Sequence, residues 1–393
     1  MRAVGVIAEY NPFHAGHAWH LAETRRLLGE GAAVVCVMSG SWVQRGECAL
    51  TDKWTRAAMA LRGGADLVLE LPVPWAISSA EGFAQGAVAT LKATGVVGAI
   101  SFGSESGHLG DLCRIAEATQ TVEFQTALRA ELEKGISFAD ARQRAVTNII
   151  GKGAKLLQGP NDSLGVEYIR AAGRDMVVMT VKRQGVSHDS DSPADGFASA
   201  TMLRQLARQG VEEELSRWMA EEDVAALREA GMARMERIER AMLACLRQMT
   251  EEDFAALPDS GAAEGLPSRL YRAAAKAGNL EEFYALAKTR RYAHSRIRRL
   301  ALWAFLGMTK SDRTEGPSYL RVLGMNGQGK ELLREMKTRA TLPILTKPAH
   351  IKTQDAATQH LFGLECKATD LYGLCYDVPK PKGLDFTTGP VIL

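Results

Sequence analysis

Two histidines at three-residue spacing, His14 and His17, stand in the run Asn11-Pro12-Phe13-His14-Ala15-Gly16-His17. The run follows a strand-like segment and opens a helical one. Imidazoles placed there can donate hydrogen bonds to phosphate oxygens as charge builds in a transition state. Gly16 lets a phosphate approach the backbone, and the helix N-terminus offers free N–H groups and a partial positive charge. A blander reading makes these histidines caps or surface residues of a loop, but their place at the first strand–helix junction favours a nucleotide site. A second segment, Ser199-Ala200-Thr201-Met202-Leu203-Arg204, opens another helix with Ser or Thr as cap. Arg204, in or near its first turn, is placed to reach an ATP phosphate with two N–H groups. Lys182 and Arg183 close a predicted strand, either as phosphate ligands or as a solvated pair.

Residues 288–299 carry six lysines and arginines (Lys288, Arg290, Arg291, Arg296, Arg298 and Arg299), no acid and one aromatic, Tyr292. Such a run is usually a solvated helix face. Unbroken by carboxylates in a protein of net charge +2, it reads as an RNA-phosphate contact. Tyr292 either stacks a base or is half core, and Arg45, Lys53 and Arg56 are expected to extend the same surface. Glu70, inside an apolar run, either binds a ribose or metal or forms a buried ion pair. Trp42 and Trp75 read as packing rather than pocket walls. Cys48 is a weak candidate for a reactive thiol, and His350 and His360 lack ligand spacing.

These groups need elements to hold them. Apolar runs at 3–9, 33–38, 67–71, 99–103 and 176–181 alternate with amphipathic segments near 19–28, 53–62 and 81–94, the pattern of βαβ units and a parallel sheet covered on both faces. Ligands of such sheets sit at the carboxyl ends of the strands. From about Gly210 the chain turns rich in Ala, Leu, Glu, Arg and Met at helical spacing. The expected organisation is an α/β, Rossmann-like catalytic domain over 1–210. A mostly α-helical domain over 211–393 follows, irregular or short-stranded from about Ala340. The six cysteines form no C-x-x-C pair, against a zinc cluster or disulfide scaffold. No signal-peptide pattern or long apolar span is present, so a cytoplasmic protein without a membrane anchor is expected.

Several runs carry a more specific resemblance. The stretch from Gly5 through Glu9-Tyr10-Asn11-Pro12-Phe13-His14 to His17, then Met38-Ser39-Gly40 and Gln44-Arg45-Gly46-Glu47, resembles the bacterial tRNA(Met) cytidine acetate ligase family of the HIGH-type nucleotidyltransferases. The likeness continues through residues 66–72, 102–105, 160–165, 288–292 and 319–325. It implies that ATP and acetate form acetyl-adenylate and pyrophosphate. The acetyl group then passes to the wobble cytidine of elongator tRNA(Met), giving 4-acetylcytidine. By the same resemblance, Ile7, Ala8, Glu9, Tyr10, Asn11, Pro12, Phe13, His14, Ala15, Gly16, His17, His20, Gly103, Asn161 and Arg183 contact ATP. Ser199, Thr201 and Arg204 match the S-x-T-x-x-R element of the superfamily. Catalysis is expected of His14, His17, Arg183 and Arg204, with Mg2+ carried by ATP and no metal held by protein ligands alone. His17, His188 and Glu105 are candidates for the base that deprotonates the amine. Two other readings stay open: adenylylation of a small phosphorylated metabolite, and a non-catalytic RNA-binding protein.

Overall fold

The computed structural model describes residues 3–29, 31–184, 198–261 and 264–393. Its strands are β1 (Ala3–Ala8), β2 (Ala33–Ser39), β3 (Trp42–Val43), β4 (Glu47–Cys48), β5 (Leu67–Leu71), β6 (Val97–Ser104), β7 (Val177–Lys182), β8 (Leu320–Met325), β9 (Ile344–Leu345) and β10 (Val391–Ile392). The main sheet has eight strands in the order β10-β8-β5-β2-β1-β6-β7, with β9 on β8, while β3 and β4 form a separate hairpin.

The predicted runs become β1, β2, β5, β6 and β7, all parallel to their neighbours in this set. In β2, Ala33, Val35 and Val37 enter one core with Leu69, Phe83 and Leu91. Val34, Cys36 and Met38 enter the other with Leu21, Ala57 and Leu61. A strand covered on both faces needs an apolar residue at every position, hence a continuous run rather than alternation. Helices Ala15–Leu28, Lys53–Arg62 and Ala200–Gln209 cover one face, and Ala80–Ala93 and Pro160–Ala172 the other. Their starts carry side-chain caps where the sequence offers them: Asp52 accepts from the Thr55 N–H and Ser199 from the Met202 N–H. Each such cap stabilises its helix by about 1 kcal/mol.

After β5 the chain crosses back to lay β6 on the far side of β1. The connections leaving β1 and β6 therefore diverge and open a crevice at their carboxyl ends, where α/β sheets bind ligands.

Among the described residues, the elements from Glu212 to Leu306 are all helices, around a core containing Leu246, Phe254, Leu270, Phe283 and Trp303. The last third departs from the expected boundary at 210, because it returns to the sheet. β8 pairs antiparallel with β5 (Leu67 opposite Met325, Val68 opposite Gly324), and β10 pairs with β8. The segment past Ala340 does hold short strands, but it also forms the helix Ala356–Tyr372. Its buried face is interrupted by polar residues, with Thr358, Glu365 and Thr369 among the buried residues. Apolar periodicity therefore gave no sign of it.

Those polar residues belong to one buried cluster. Lys53 Nζ lies 2.7 Å from Glu70 Oε1 and 2.7 Å from Asp385 Oδ1, and donates to Thr369 Oγ1 at 3.1 Å. Arg321 reaches Asp385 at 2.7 Å and Glu70 at 3.4 Å. Glu365 accepts the Val73 N–H at 2.7 Å. Burial and the neighbouring Glu70 push the Glu365 carboxyl well above its usual range. Two cations, Lys53 and Arg321, share three acidic groups. Glu70 is thus the ion-pair partner, and Lys53, wholly buried, is no part of an RNA surface.

Candidate active site

A cavity of about 360 Å3 opens at the carboxyl ends of β1 and β6. Of the residues expected at the nucleotide, Ile7, Ala8, Glu9, Tyr10, Asn11, His14, Gly16, His17, His20, Gly103, Asn161, Arg183, Ser199 and Arg204 line it. Pro12, Phe13, Ala15 and Thr201 do not. Pro12 and Phe13 are buried behind the wall, and Ala15 is exposed. The strand order brings together segments that lie more than a hundred residues apart in the chain.

His14 is the N-cap of helix Ala15–Leu28. Its Nδ1 accepts the Gly16 N–H at 3.1 Å, and His17 Nδ1 accepts the His14 N–H at 3.3 Å. A ring nitrogen that accepts carries no proton, so each neutral imidazole keeps its proton on Nε2 and becomes a donor there. The rings lie 3.9 Å apart, with Tyr10 edge-on to His17 at 4.9 Å. One expectation is corrected. The leading N–H groups of this helix are committed: Ala15 to Trp218 O, Gly16 to the His14 ring and His17 to His14 O. What the site offers an anion is therefore the pair of imidazoles and the positive end of the helix, not a row of backbone donors.

The preceding loop is held stiffly. Asn11 Oδ1 accepts the Leu50 N–H at 2.7 Å, and Asn11 O accepts from Arg204 Nη1 at 2.9 Å. Arg204 also donates to Thr201 Oγ1 at 3.1 Å. Arg204 is thereby a clamp between helix Ala200–Gln209 and the histidine loop, with its two Nη groups engaged by protein. Tyr10 sits at φ 47°, a left-handed conformation uncommon for an aromatic residue. Arg56, expected on an RNA surface, lies wholly inside. It donates to the carbonyls of Thr51, Glu9, Ser39 and Gly40 and joins the ends of β1 and β2. A cation spaced like a helix surface residue gave no sign of that role.

At the other wall Arg183 packs across Gly103, where an added Cβ would stand 3.3 Å from its Cγ. Lys182 packs on Gly107 instead and does not line the cavity. Asn161 is oriented by Glu105, whose Oε1 accepts from Asn161 N (3.0 Å) and Nδ2 (2.6 Å) while Oε2 accepts from Asp162 N at 2.7 Å. Glu105 is spent as the cap of helix Pro160–Ala172, which removes it as a base candidate. His188 lies outside the described residues. Burial, aided by the Arg183 charge, lowers the His20 pKa to about 4, so His20 is neutral beside Ser101 Oγ at 3.2 Å.

Sequence reasoning marked Gln44-Arg45-Gly46-Glu47 as part of the resemblance, and Arg45 as a surface cation, without assigning them to a third wall. Gln44, Arg45 and Glu47, from the hairpin β3–β4, close the cavity on the β2 side. Gly46 turns this hairpin at φ +78°, and a Cβ there would stand 2.7 Å from the backbone of Arg298 and Arg299. Arg298 pairs with Glu47, and with Glu281 at 3.3 Å. Arg299 donates to Gln44 O at 3.4 Å. Arg296 is tied to Asp259 O and Glu264. The basic run therefore divides. Lys288, Arg290 and Arg291 are exposed, whereas Arg296, Arg298 and Arg299 hold structure, the first two on carboxylates from elsewhere in the chain and Arg299 on the Gln44 carbonyl. Tyr292 is buried and donates its hydroxyl to Glu264 O at 2.7 Å, so it is core and not a stacking platform. Trp42 and Trp75 are core, Cys48 is buried, and His360 pairs on the surface with Asp312. His350 joins a short 3-10 turn.

Comparison with known proteins gives consistent results. Residues 1–385 match the family model described as HIGH Nucleotidyl Transferase. The chain is 38% identical to the tRNA(Met) cytidine acetate ligase of Thermoanaerobacter sp. (strain X514), covering 98% of each chain. It is 37% identical to that of Thermotoga maritima, over 98% of this chain and 99% of the relative. The crystal structure of Thermotoga maritima TmcAL without ligand superposes with a TM-score of 0.92 at 35% identity, covering 100% of both chains. The same protein bound with alpha-thio ATP gives 0.91.

Proposed function

This chain belongs to the tRNA(Met) cytidine acetate ligase family of the HIGH nucleotidyltransferases, and on that footing we propose that it acetylates the wobble cytidine of elongator tRNA(Met) with ATP and acetate. Acetate attacks the α-phosphorus of ATP, pyrophosphate leaves, and acetyl-adenylate remains. The anhydride supplies the leaving group that acetate lacks, and the cytidine amine then displaces AMP. Cytoplasm, where tRNA is used, is the proposed compartment.

The observation that carries this reading is the convergence of residues 7–11, His14, His17, His20, Gly103, Asn161 and Arg183 on one cavity at the crossover of the sheet. Its two walls suit the two ends of ATP. His14 and His17, each with Nε2 as donor, stabilise the charge that builds on the phosphates. Gly103, Asn161 and Arg183 border the half that receives the nucleoside. Arg204 acts through the loop it clamps. Magnesium fits as a companion of the nucleotide: the described residues hold no group of three His, Cys, Asp or Glu side chains that would bind a metal, so phosphate oxygens and water supply most of its ligands. When bound it neutralises phosphate charge. Among the described residues no helix is long and apolar enough to cross a membrane. Lys288, Arg290 and Arg291 are proposed to meet tRNA phosphates.

The test is incubation of the protein with ATP, labelled acetate and tRNA, omitting each in turn. ATP-dependent label recovered as 4-acetylcytidine is expected. Pyrophosphate release with no label in tRNA would overturn the RNA substrate and direct the search to small acids and phosphorylated metabolites.

A further inference from the structure

The cavity holds a carboxylate to which the adenylation chemistry given above assigns no proton transfer. Its acidic lining residues among those described are Glu9 and Glu47, and Glu47 is ion-paired with Arg298. Glu9 stands at the carboxyl end of β1, beside the crossover. Its Oε1 accepts the Gln44 N–H at 2.7 Å, and no described residue bonds its Oε2. Arg56 holds the Glu9 carbonyl at 2.7 Å, so the side chain is anchored at both its root and one oxygen.

Position decides what such a group meets. Gly103, Asn161 and Arg183 border the β6–β7 half of the cavity, while Glu9, Gln44 and Arg45 border the β1–β2 half. An adenylate whose nucleoside lies over β6 and β7 presents its acyl carbonyl to the opposite half, and the attacking amine has to enter there. A carboxylate is also the acceptor that suits cytosine N4, which donates. Uracil has a carbonyl oxygen at that place and gives no proton.

We propose that Glu9 receives the hydrogen bond, and then the proton, of the cytidine N4 amine during acetyl transfer; the assignment rests on the ligase reading above. The N4 lone pair forms the C–N bond at the acetyl carbonyl. The bond from that carbon to the bridging phosphate oxygen breaks, and AMP leaves with its electron pair. One N4 proton passes to Glu9 and returns to water once product has departed. The groups facing Glu9 are Arg45 on the hairpin, Arg56 and Arg204 on their helices, and Tyr168 on helix Pro160–Ala172. Burial pushes the Glu9 pKa up, against the opposing pull of the Gln44 N–H and the three arginines, toward the range where a carboxylate is a useful base.

Glu9→Gln keeps an oxygen for the Gln44 N–H and loses the ability to take a proton. Two steps are measured separately: acetate-dependent exchange of labelled pyrophosphate into ATP, and single-turnover transfer to tRNA across a range of about pH 5 to 9. Transfer is expected to fall by about 10²- to 10⁴-fold, and by more than exchange does. Wild-type transfer rises with pH through the Glu9 titration, the Gln variant is flat there, and Glu9→Asp recovers part of the rate with its pH dependence. Equal losses in the two steps, transfer close to wild type, or an unaltered pH profile in Glu9→Gln would each overturn the assignment. Wild-type protein that exchanges pyrophosphate but never labels tRNA would overturn the ligase reading itself, a result visible before any variant is made.

Discussion

At the scale of single residues, the paired imidazoles carry the sharpest expectation. His14→Ala and His17→Ala should each reduce acetyl-adenylate formation by about 10²-fold or more while leaving tRNA binding close to wild type, checked by pyrophosphate exchange and filter binding. Normal exchange in either variant would remove that histidine from the chemistry. His20 gives a pH dependence whose sign is determinate. Its folded pKa of about 4 lies below the ordinary 6.5. Between these values the unfolded chain binds the extra proton, so stability rises with pH there and is lost as pH falls from 6.5 toward 4. His20→Asn should flatten that part of a denaturation-versus-pH curve; an equal slope in the variant would show that other groups set it. The place of His14, His17 and Arg183 on the cavity was legible because each stands just beyond the carboxyl end of a predicted strand. Arg56 was not, and Glu9 was legible only as a nucleotide contact, not as a base. One looks like a helix surface cation and the other like the polar end of a strand, and only the meeting of β1 with β2 gives them their roles.

At the scale of elements, the hairpin β3–β4 is a wall whose shape depends on one glycine. Gly46→Ala places a Cβ against the backbone of Arg298 and Arg299 at a positive φ. It should cost about 1–3 kcal/mol of stability and slow turnover, measured by urea unfolding and by tRNA labelling. A fully active, equally stable Ala variant would mean that the hairpin does not need this close approach. The strands of the parallel core were legible because burial on both faces demands unbroken apolar runs. β8 was not, because Arg321 interrupts its run and its ladder partner, β5, lies some 250 residues earlier in sequence. Helix Ala356–Tyr372 was hidden for the same kind of reason. Its Glu365 and Thr369 look like surface residues until Lys53 is placed beside them.

At the scale of the molecule, the buried cluster of Lys53, Glu70, Arg321, Glu365 and Asp385 joins the first strands to the final segment. Lys53→Met should destabilise the fold by about 3–5 kcal/mol, because it leaves buried carboxylates without their cation. Thermal unfolding checks this, and an unchanged midpoint would show that the acids simply take up protons at no cost. The basic run makes a second prediction at this scale. Arg290→Ala with Arg291→Ala should weaken tRNA binding and flatten its dependence on log salt by about 1–2 in slope. Arg298→Ala should instead act on turnover through Glu47 and the hairpin. A wild-type salt slope in the double variant would remove the outer arginines from the interface.

The buried cluster also sets an order of events during synthesis. Lys53 emerges from the ribosome early, yet Asp385, one of the carboxylates that answers its charge, follows on the order of half a minute later at typical elongation rates. Of its partners only Glu70 is made soon after it, so the cluster around Lys53 is complete only when Arg321 and Asp385 have followed. The half of the protein that carries the histidines is therefore made first and completed last.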